Sequence, residues 1–456
     1  MGFCSVNIRN FVIGILTLCL LIGCGQKEEI LAGYRIDIER PLSESTEVVS
    51  ERDGTTIGSL VVNNPLPGSK EFVAPPEVNL SEWTHVNANS QHNPGNLGMD
   101  KSLNLVWQRS IGVGSTKRYR IGTSPIFAQN KIFTMDAASN VRAFTTNGSL
   151  VWGTSLGSEL DEEEASSGGL AFGEGYLFAT TGFGVLHVLD PETGGVVWTQ
   201  EFEAPAVSSP TVYNGLVYLI TLDSKAWALD IRNGRLSWSL ESTGGIAMVA
   251  GDTSPAITSN DIILPFPSGE VVSANAKNGN VNWREYISGS RRTNPSSTLI
   301  GISSSPAIAN NQIFVANQSG STAALNISNG QARWWASDGS YNPPLPIGDS
   351  VFLVTDNFEL VRLDAATGQR IWATSLPSFK SDRPRRRKEV YAHFGPLLVG
   401  GELLVASSDG QIRFFNPETG DVARSITVPG GATSTPIVVN QTMYLKSSNG
   451  NLYALN

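Results

Sequence analysis

Cysteine is nearly absent and confined to one end. Cys4, Cys19 and Cys24 are the only three in 456 residues, so a disulfide framework is excluded for everything downstream. Histidine is almost as scarce. None of His85, His92, His187 and His393 stands at a helical metal-ligand spacing from a Cys or another His, so structural roles and no bound metal are expected. Only 16% of residues are charged, too few for a coiled coil or helical bundle. The net charge of −9 leaves no general basic field, which removes the electrostatic basis for non-specific nucleic-acid binding. No apolar run is long enough for a permanent span either. Residues 11–22 would reach only about 18 Å as a helix, against roughly 30 Å of hydrocarbon. What is abundant is Gly (46), Pro (24) and Trp (10) within a 40% apolar chain, the composition of many short strands joined by tight turns.

The first eighty residues read as address and tether. Arg9 precedes the apolar run, which ends in Leu21-Ile22-Gly23-Cys24. This is a signal-peptide layout over residues 1–23. Its last four residues resemble the bacterial lipobox, which implies cleavage before Cys24, lipid on its sulfur and acylation of the new amino terminus. Gly25 in the next position leans towards the outer membrane, and two or three acyl chains suffice for stable anchoring. Residues 24–81 show no sustained periodicity and are rich in Glu, Ser, Thr and Pro, as expected of a flexible tether.

From residue 82 to 456 one pattern recurs eight times. Its clearest copy runs Ser208-Ser209-Pro210, Gly215-Leu216-Val217-Tyr218-Leu219, Ala226-Trp227-Ala228-Leu229-Asp230, Gly234 and Trp238. Gly followed four residues later by Trp occurs at Gly148/Trp152, Gly194/Trp198, Gly234/Trp238, Gly279/Trp283, Gly330/Trp334 and Gly368/Trp372, while Gly420 has Arg424 in the Trp position. Asp190, Asp230, Asn275, Asn326, Asp364 and Asn416 stand four residues before their glycines. An Asx side chain starts the turn, Gly supplies the positive φ that reverses the chain, and the indole then falls on a fixed face of the next strand, where it fills the gap to a neighbouring sheet. Repeats of about 40–50 residues with four strands each predict an all-β fold, an eight-bladed β-propeller of four-stranded antiparallel blades. The last copy stops at Asn456, before its fourth strand. The missing strand is expected at residues 103–107, so the N-terminal strand would complete the last blade, close the ring and place Trp107 in the docking series with Trp152, Trp198, Trp238, Trp283, Trp334 and Trp372.

The Ser-Pro opening, Leu-Asp, Gly and Trp arrangement resembles the PQQ-type propeller repeat, and residues 83–98 resemble the lead-in of that superfamily. Within it, a lipobox, eight repeats closed by an N-terminal strand and no further domain are most similar to the BamB family. That resemblance implies a lipoprotein subunit of the complex that inserts β-barrels into the bacterial outer membrane. It would be held by lipid at Cys24, face the periplasm, need no cofactor, and dock the periplasmic domains of the barrel-forming subunit. Unfolded outer-membrane proteins are possible clients. The expected function is thus a non-catalytic scaffold rather than an enzyme.

Two alternatives stay open. One is a PQQ-dependent quinoprotein-like enzyme. The resemblance would then imply a Ca²⁺-type oxygen cage, a catalytic carboxylate and often a disulfide between adjacent cysteines, which this chain cannot make. Asp252 is the only acid immediately beside an inner-strand opening, and one carboxylate cannot supply six to eight oxygen ligands. The Ser/Thr pairs at the openings, such as Thr123-Ser124, Ser208-Ser209 and Ser434-Thr435, read as small packing residues at a crowded axis. The other alternative is a ligand-binding or signalling propeller, which a deep axial pocket with convergent polar groups would favour. Trp335 stands outside the docking series and is a candidate contact residue, since it faces the other side of its strand from Trp334. The candidate partner loops are Asp161-Glu162-Glu163-Glu164, Arg291-Arg292, and Arg383 with Arg385, Arg386, Arg387 and Lys388. All lie between an outer strand and the next inner strand, and therefore on one face of a propeller.

Overall fold

The computed structural model describes residues 70–116, 121–157, 168–206, 208–243, 253–287, 289, 301–381, 383, 385 and 387–456. Eight sheets make up these residues, and each is an up-and-down meander. Blade 3 is representative. Its strands Thr211–Tyr213, Leu216–Thr221, Lys225–Asp230 and Leu236–Glu241 pair antiparallel in sequence order from the axis outward. The inner three carry the buried side chains, as in the fully buried Val217-Tyr218-Leu219, and the outermost alternates towards solvent. Core clusters run between neighbouring blades rather than within one, joining for example Tyr218, Ala228 and Trp238 of blade 3 to Ile262, Leu264 and Val272 of blade 4.

The last blade is built from both chain ends. Ile437–Val439, Thr442–Lys446 and Asn451–Leu455 are completed by Leu105–Ser110, which pairs antiparallel with Asn451–Leu455. Beyond the paired strands, the Asn104 amide donates to Asn456 O (2.8 Å) and the Asn456 amide donates to Asn104 O (3.0 Å). Blade 7 has a fifth strand, Asn96–Leu97, laid parallel on its inner strand His393–Val399. That inner strand is irregular in register between Phe394 and Leu397.

Each indole of the series crosses to the next blade. Asp190 Oδ1 accepts from the amides of Glu192 and Thr193, so the Asx turn forms as its residue type predicts. Trp152 Nε1 donates to the carbonyl of Pro191 in that turn (3.0 Å), and its ring lies flat against Gly194. The same seating joins Trp107 to Gly148, Trp198 to Gly234, Trp238 to Gly279, Trp283 to Gly330, Trp334 to Gly368 and Trp372 to Gly420. The Gly and Trp of one repeat therefore serve different neighbours. Trp198 and Trp372 are half-buried, and the other five are buried.

Arg424 marks the seam. In the blade that follows it, Asn456 and Asn104 meet where the others have a glycine-bearing turn, so an indole there would have no turn to sit on. Instead the guanidinium lies 3.5 Å from the Phe414 ring centroid and Nε donates to Glu402 (2.8 Å).

Candidate functional site at the ring axis

Residues 70–98 follow the ring blade by blade on the face of the short inner hairpin turns. Arg362 of blade 6, fully buried, donates to the carbonyls of Lys70 (2.7 Å) and Glu71 (3.1 Å). Lys70 bridges Asp364 and Asp349, and Phe72 meets Phe352 edge-on. Residues 70–81, expected within the tether, thus lie packed on the ring from Lys70 onward. The Asn440 amide then donates to Leu80 O, Trp83 bridges to Phe127, the Phe172 amide donates to Thr84 O, and the Val212 amide to His85 Nε2. The Ile257 and Ile308 amides donate to Ser90 and Gln91 carbonyls before the segment joins blade 7 at Asn96–Leu97. Composition gave no sign of this. The cue was the residue class, since Trp83, His85 and His92 are large groups in an otherwise polar stretch, and all three are buried.

The histidines serve this closure. His85 accepts from Val212, and His92 Nδ1 lies 2.7 Å from Pro306 O. Burial, with repulsion from His92, pushes His85 down to about 3, and burial pushes His92 down to about 4. Both are neutral packing groups. His393 is bonded at both ring nitrogens, to Ser407 Oγ and Pro377 O, and burial lowers it and His187 as well.

On the opposite end of the axis lies a cavity of about 390 Å³. The openings of blades 1, 6, 7 and 8 wall it, and Val86 and Asn87 of the crossing segment contribute to its lining from below. Tyr341, Pro343, Phe358, Val390, Tyr391 and Phe394 give it an apolar wall, with Ser124, Asn342, Thr355 and Ser434 between them. Many hydroxyls at the openings are spent on backbone: Ser208 Oγ accepts from Ile220, Ser305 Oγ from Ser254, and Ser304 Oγ donates to Ala316 O. Ser434 differs. It is 2% exposed and its Oγ has no hydrogen-bond partner.

The family described as outer membrane protein assembly factor BamB matches residues 137–374 and 381–456, which is most of the ring. The chain belongs to the BamB family. A curated BamB of Yersinia pestis is 23% identical over 356 residues, covering 76% of this chain and 88% of that one. Among solved structures, BamB from Moraxella catarrhalis superposes with a TM-score of 0.64 at 17% identity, covering 78% of this chain and all of that one. A quinohemoprotein alcohol dehydrogenase from Comamonas testosteroni reaches the same TM-score at 13% identity, covering 82% and 80%, so the ring architecture is shared with quinoproteins.

Among the described residues no three or more His, Cys, Asp or Glu gather as a ligand set, and the cavity walls are mainly aromatic, hydroxyl and amide groups with Asp356 as their one carboxylate, short of the six to eight oxygen ligands of a quinoprotein's Ca²⁺-type cage. Asp252 lies outside the described residues.

The expected lipid-attachment residue Cys24 and, of the expected partner residues, Asp161, Glu162, Glu163, Glu164, Arg291, Arg292 and Arg386 also lie outside them. Arg383, Arg385, Arg387 and Lys388 are exposed in the connection from blade 6 to blade 7, on the cavity's face of the ring. Its base is closed by a bridge between Phe379 and Val390 and an ion pair between Lys380 and Glu389 (3.0 Å), while Arg387 lies over the Phe379 ring at 5.1 Å. Trp335, expected as a possible surface contact, is half-buried and packs against the core between blades 4 and 5.

Proposed function

We propose that the chain is a non-catalytic lipoprotein scaffold of the machinery that inserts β-barrels into the bacterial outer membrane. In this reading residues 1–23 are removed as a signal peptide and Cys24 carries the lipid. The residues after Cys24 that precede the ring form the tether, and the ring faces the periplasm. It needs no cofactor. Its partner would be the barrel-forming subunit, reached through periplasmic domains that dock on the loop face bearing Arg383, Arg385, Arg387 and Lys388. Exposed charges of this kind steer an encounter and select its register more than they add affinity.

The observation that carries the reading is the family match across residues 137–374 and 381–456. The axis supports it, since the chain's own segment 83–98 occupies one end and several opening hydroxyls, such as Ser208, Ser304 and Ser305, are committed to backbone. The test is affinity purification of the lipidated chain from gently solubilised envelopes, followed by mass spectrometry. An outer-membrane barrel protein with periplasmic domains should co-elute, and less of it when Arg383, Arg385, Arg387 and Lys388 are changed to Gln. Recovery that ignores those changes would keep the role and discard the face. With no barrel partner at all, the assembly reading falls. Metabolic labelling with palmitate, lost in Cys24→Ser, tests the anchor separately. A second reading, a ligand-binding propeller, draws its support from the axial cavity.

A further inference from the structure

We infer that the axial cavity is a binding site for an extended polypeptide segment, which inserts one aromatic or large aliphatic side chain between Tyr341, Phe358, Tyr391 and Phe394. The inference rests on the scaffold reading and names a class of client for it.

Four observations converge. The cavity, about 390 Å³, is of the size that takes a large side chain with part of its backbone, and it is blind, because Val86 and Asn87 of the crossing segment contribute its lower lining. Its apolar surface does not stop at the mouth. Tyr341 is 43% exposed and Val390 49% exposed, so the ligand they suit continues out of the cavity onto the loop face, as a chain does and a compact small molecule does not. The polar groups among the aromatics are hydroxyls and amides, together with the Asp356 carboxylate and the His393 imidazole. Ser434 Oγ, buried and unpartnered, is an orphan that a peptide N–H or C=O would satisfy. Finally, Lys388 stands two residues before Val390, with Arg383 and Arg385 exposed in the same loop, so where the segment leaves the cavity along this loop, away from Asp356, acidic residues are favoured over basic ones.

The probe is a fluorescein-labelled hexapeptide, Asp-Gly-Phe-Tyr-Gly-Asp with an amidated C-terminus, titrated by fluorescence anisotropy into the full lipidated chain in mild detergent, with empty micelles as the blank. Saturable binding is expected. Gly122 lines the cavity and an added Cβ there meets nothing within 4 Å, so Gly122→Trp should fill the space without disturbing the ring and weaken binding at least tenfold at an unchanged melting temperature. Should that variant fold poorly, Tyr341→Ser at the exposed rim gives the same reading with a loss of several fold. Ser434→Ala should weaken binding about threefold or more, and a probe with Gly in place of Phe and Tyr should not bind. Absence of saturation up to millimolar probe, undiminished binding by correctly folded Gly122→Trp or Tyr341→Ser, or equal binding of the Gly probe would each overturn the inference. Co-purification separates it from the scaffold reading. A chain that recovers the barrel partner but not the probe loses only the cavity site, and one that binds the probe but recovers no barrel loses only the assembly role.

Discussion

The indole–glycine contact between blades can be weighed by comparing two glycines. Gly330 has φ +73°, and a Cβ built there falls 2.4 Å from Trp283 Cε3 and 2.6 Å from Cδ2. Gly215 has φ +80° with nothing within 4 Å. Alanine at either position incurs the left-handed backbone cost of about 1–2 kcal/mol. At 215 that is the whole effect. At 330 the methyl also displaces the indole, for which overpacking costs about 1–3 kcal/mol. It further strains the bond from Trp283 Nε1 to Ile327 O (3.0 Å), a net contribution of about 1 kcal/mol. The expected losses are therefore about 1–2 kcal/mol for Gly215→Ala and about 3–6 kcal/mol for Gly330→Ala. Urea unfolding followed by tryptophan fluorescence, with equal slopes for the two variants, measures the difference. A double variant with Trp283→Phe should lose less than the sum of its parts, because the smaller ring leaves room for the methyl. If the two alanine variants agree within about 0.5 kcal/mol, the indole is not seated on the glycine and the account of blade docking is wrong.

Three further outcomes are expected. His85 and His92 are held neutral below their ordinary value of 6.5, at about 3 and about 4. The unfolded chain therefore binds more protons below 6.5, and each His contributes stability that is full above that pH and falls by up to about 1.4 kcal/mol per pH unit as pH drops towards 4. Urea midpoints at pH 7, 6 and 5 should fall more steeply for the native chain than for His92→Gln, and parallel lines would refute this. Arg424→Trp restores the repeat's residue yet should lower stability by about 0.5–2 kcal/mol, since it forfeits Phe414 and Glu402 and finds no turn; a raised melting temperature would contradict the seam argument. Cysteines replacing Asn104 and Asn456, which exchange amide bonds across the closure, should form a disulfide and slow unfolding at least tenfold, read by the unfolding rate in urea with and without reductant.

The ring was legible because its signals are local and repeated. Asx, Gly and Trp each perform a short-range task, a turn or a docking face, and six copies of the Gly/Trp spacing make chance agreement implausible. The partner of each indole was not legible, since residues four apart in one repeat contact different blades. Residues 70–81 misled for a different reason. Pro, Glu and Val without periodicity read as tether, but an extended segment can be held by carbonyls and one ring, and the groups that hold it, Arg362 and Phe352, are nearly three hundred residues away. The cavity was foreseen only as a possibility. Its walls come from four openings, two of which, at Tyr341-Asn342-Pro343 and Val390-Tyr391, depart from the Ser-Pro pattern that defined the repeat.

That departure has a physical basis in how a symmetric ring acquires a site. Eight equal openings would line the axis with small hydroxyls bonded to backbone, as Ser208, Ser304 and Ser305 are, and leave little to recognise. A segment crossing the other end breaks the equivalence, because it passes the blades in order and must enter and leave somewhere. It enters at blade 6, where Arg362 grips the carbonyls of Lys70 and Glu71, and leaves through blade 7 as the added strand Asn96–Leu97. Blades 6 and 7 are also where the openings turn aromatic. The sector that clamps the crossing segment is therefore the sector that walls the cavity. Arg362, Asp349 and Asp364 hold Lys70 and Glu71 upstream of Val86 and Asn87, so the crossing segment is clamped to the ring before it reaches the cavity's lining.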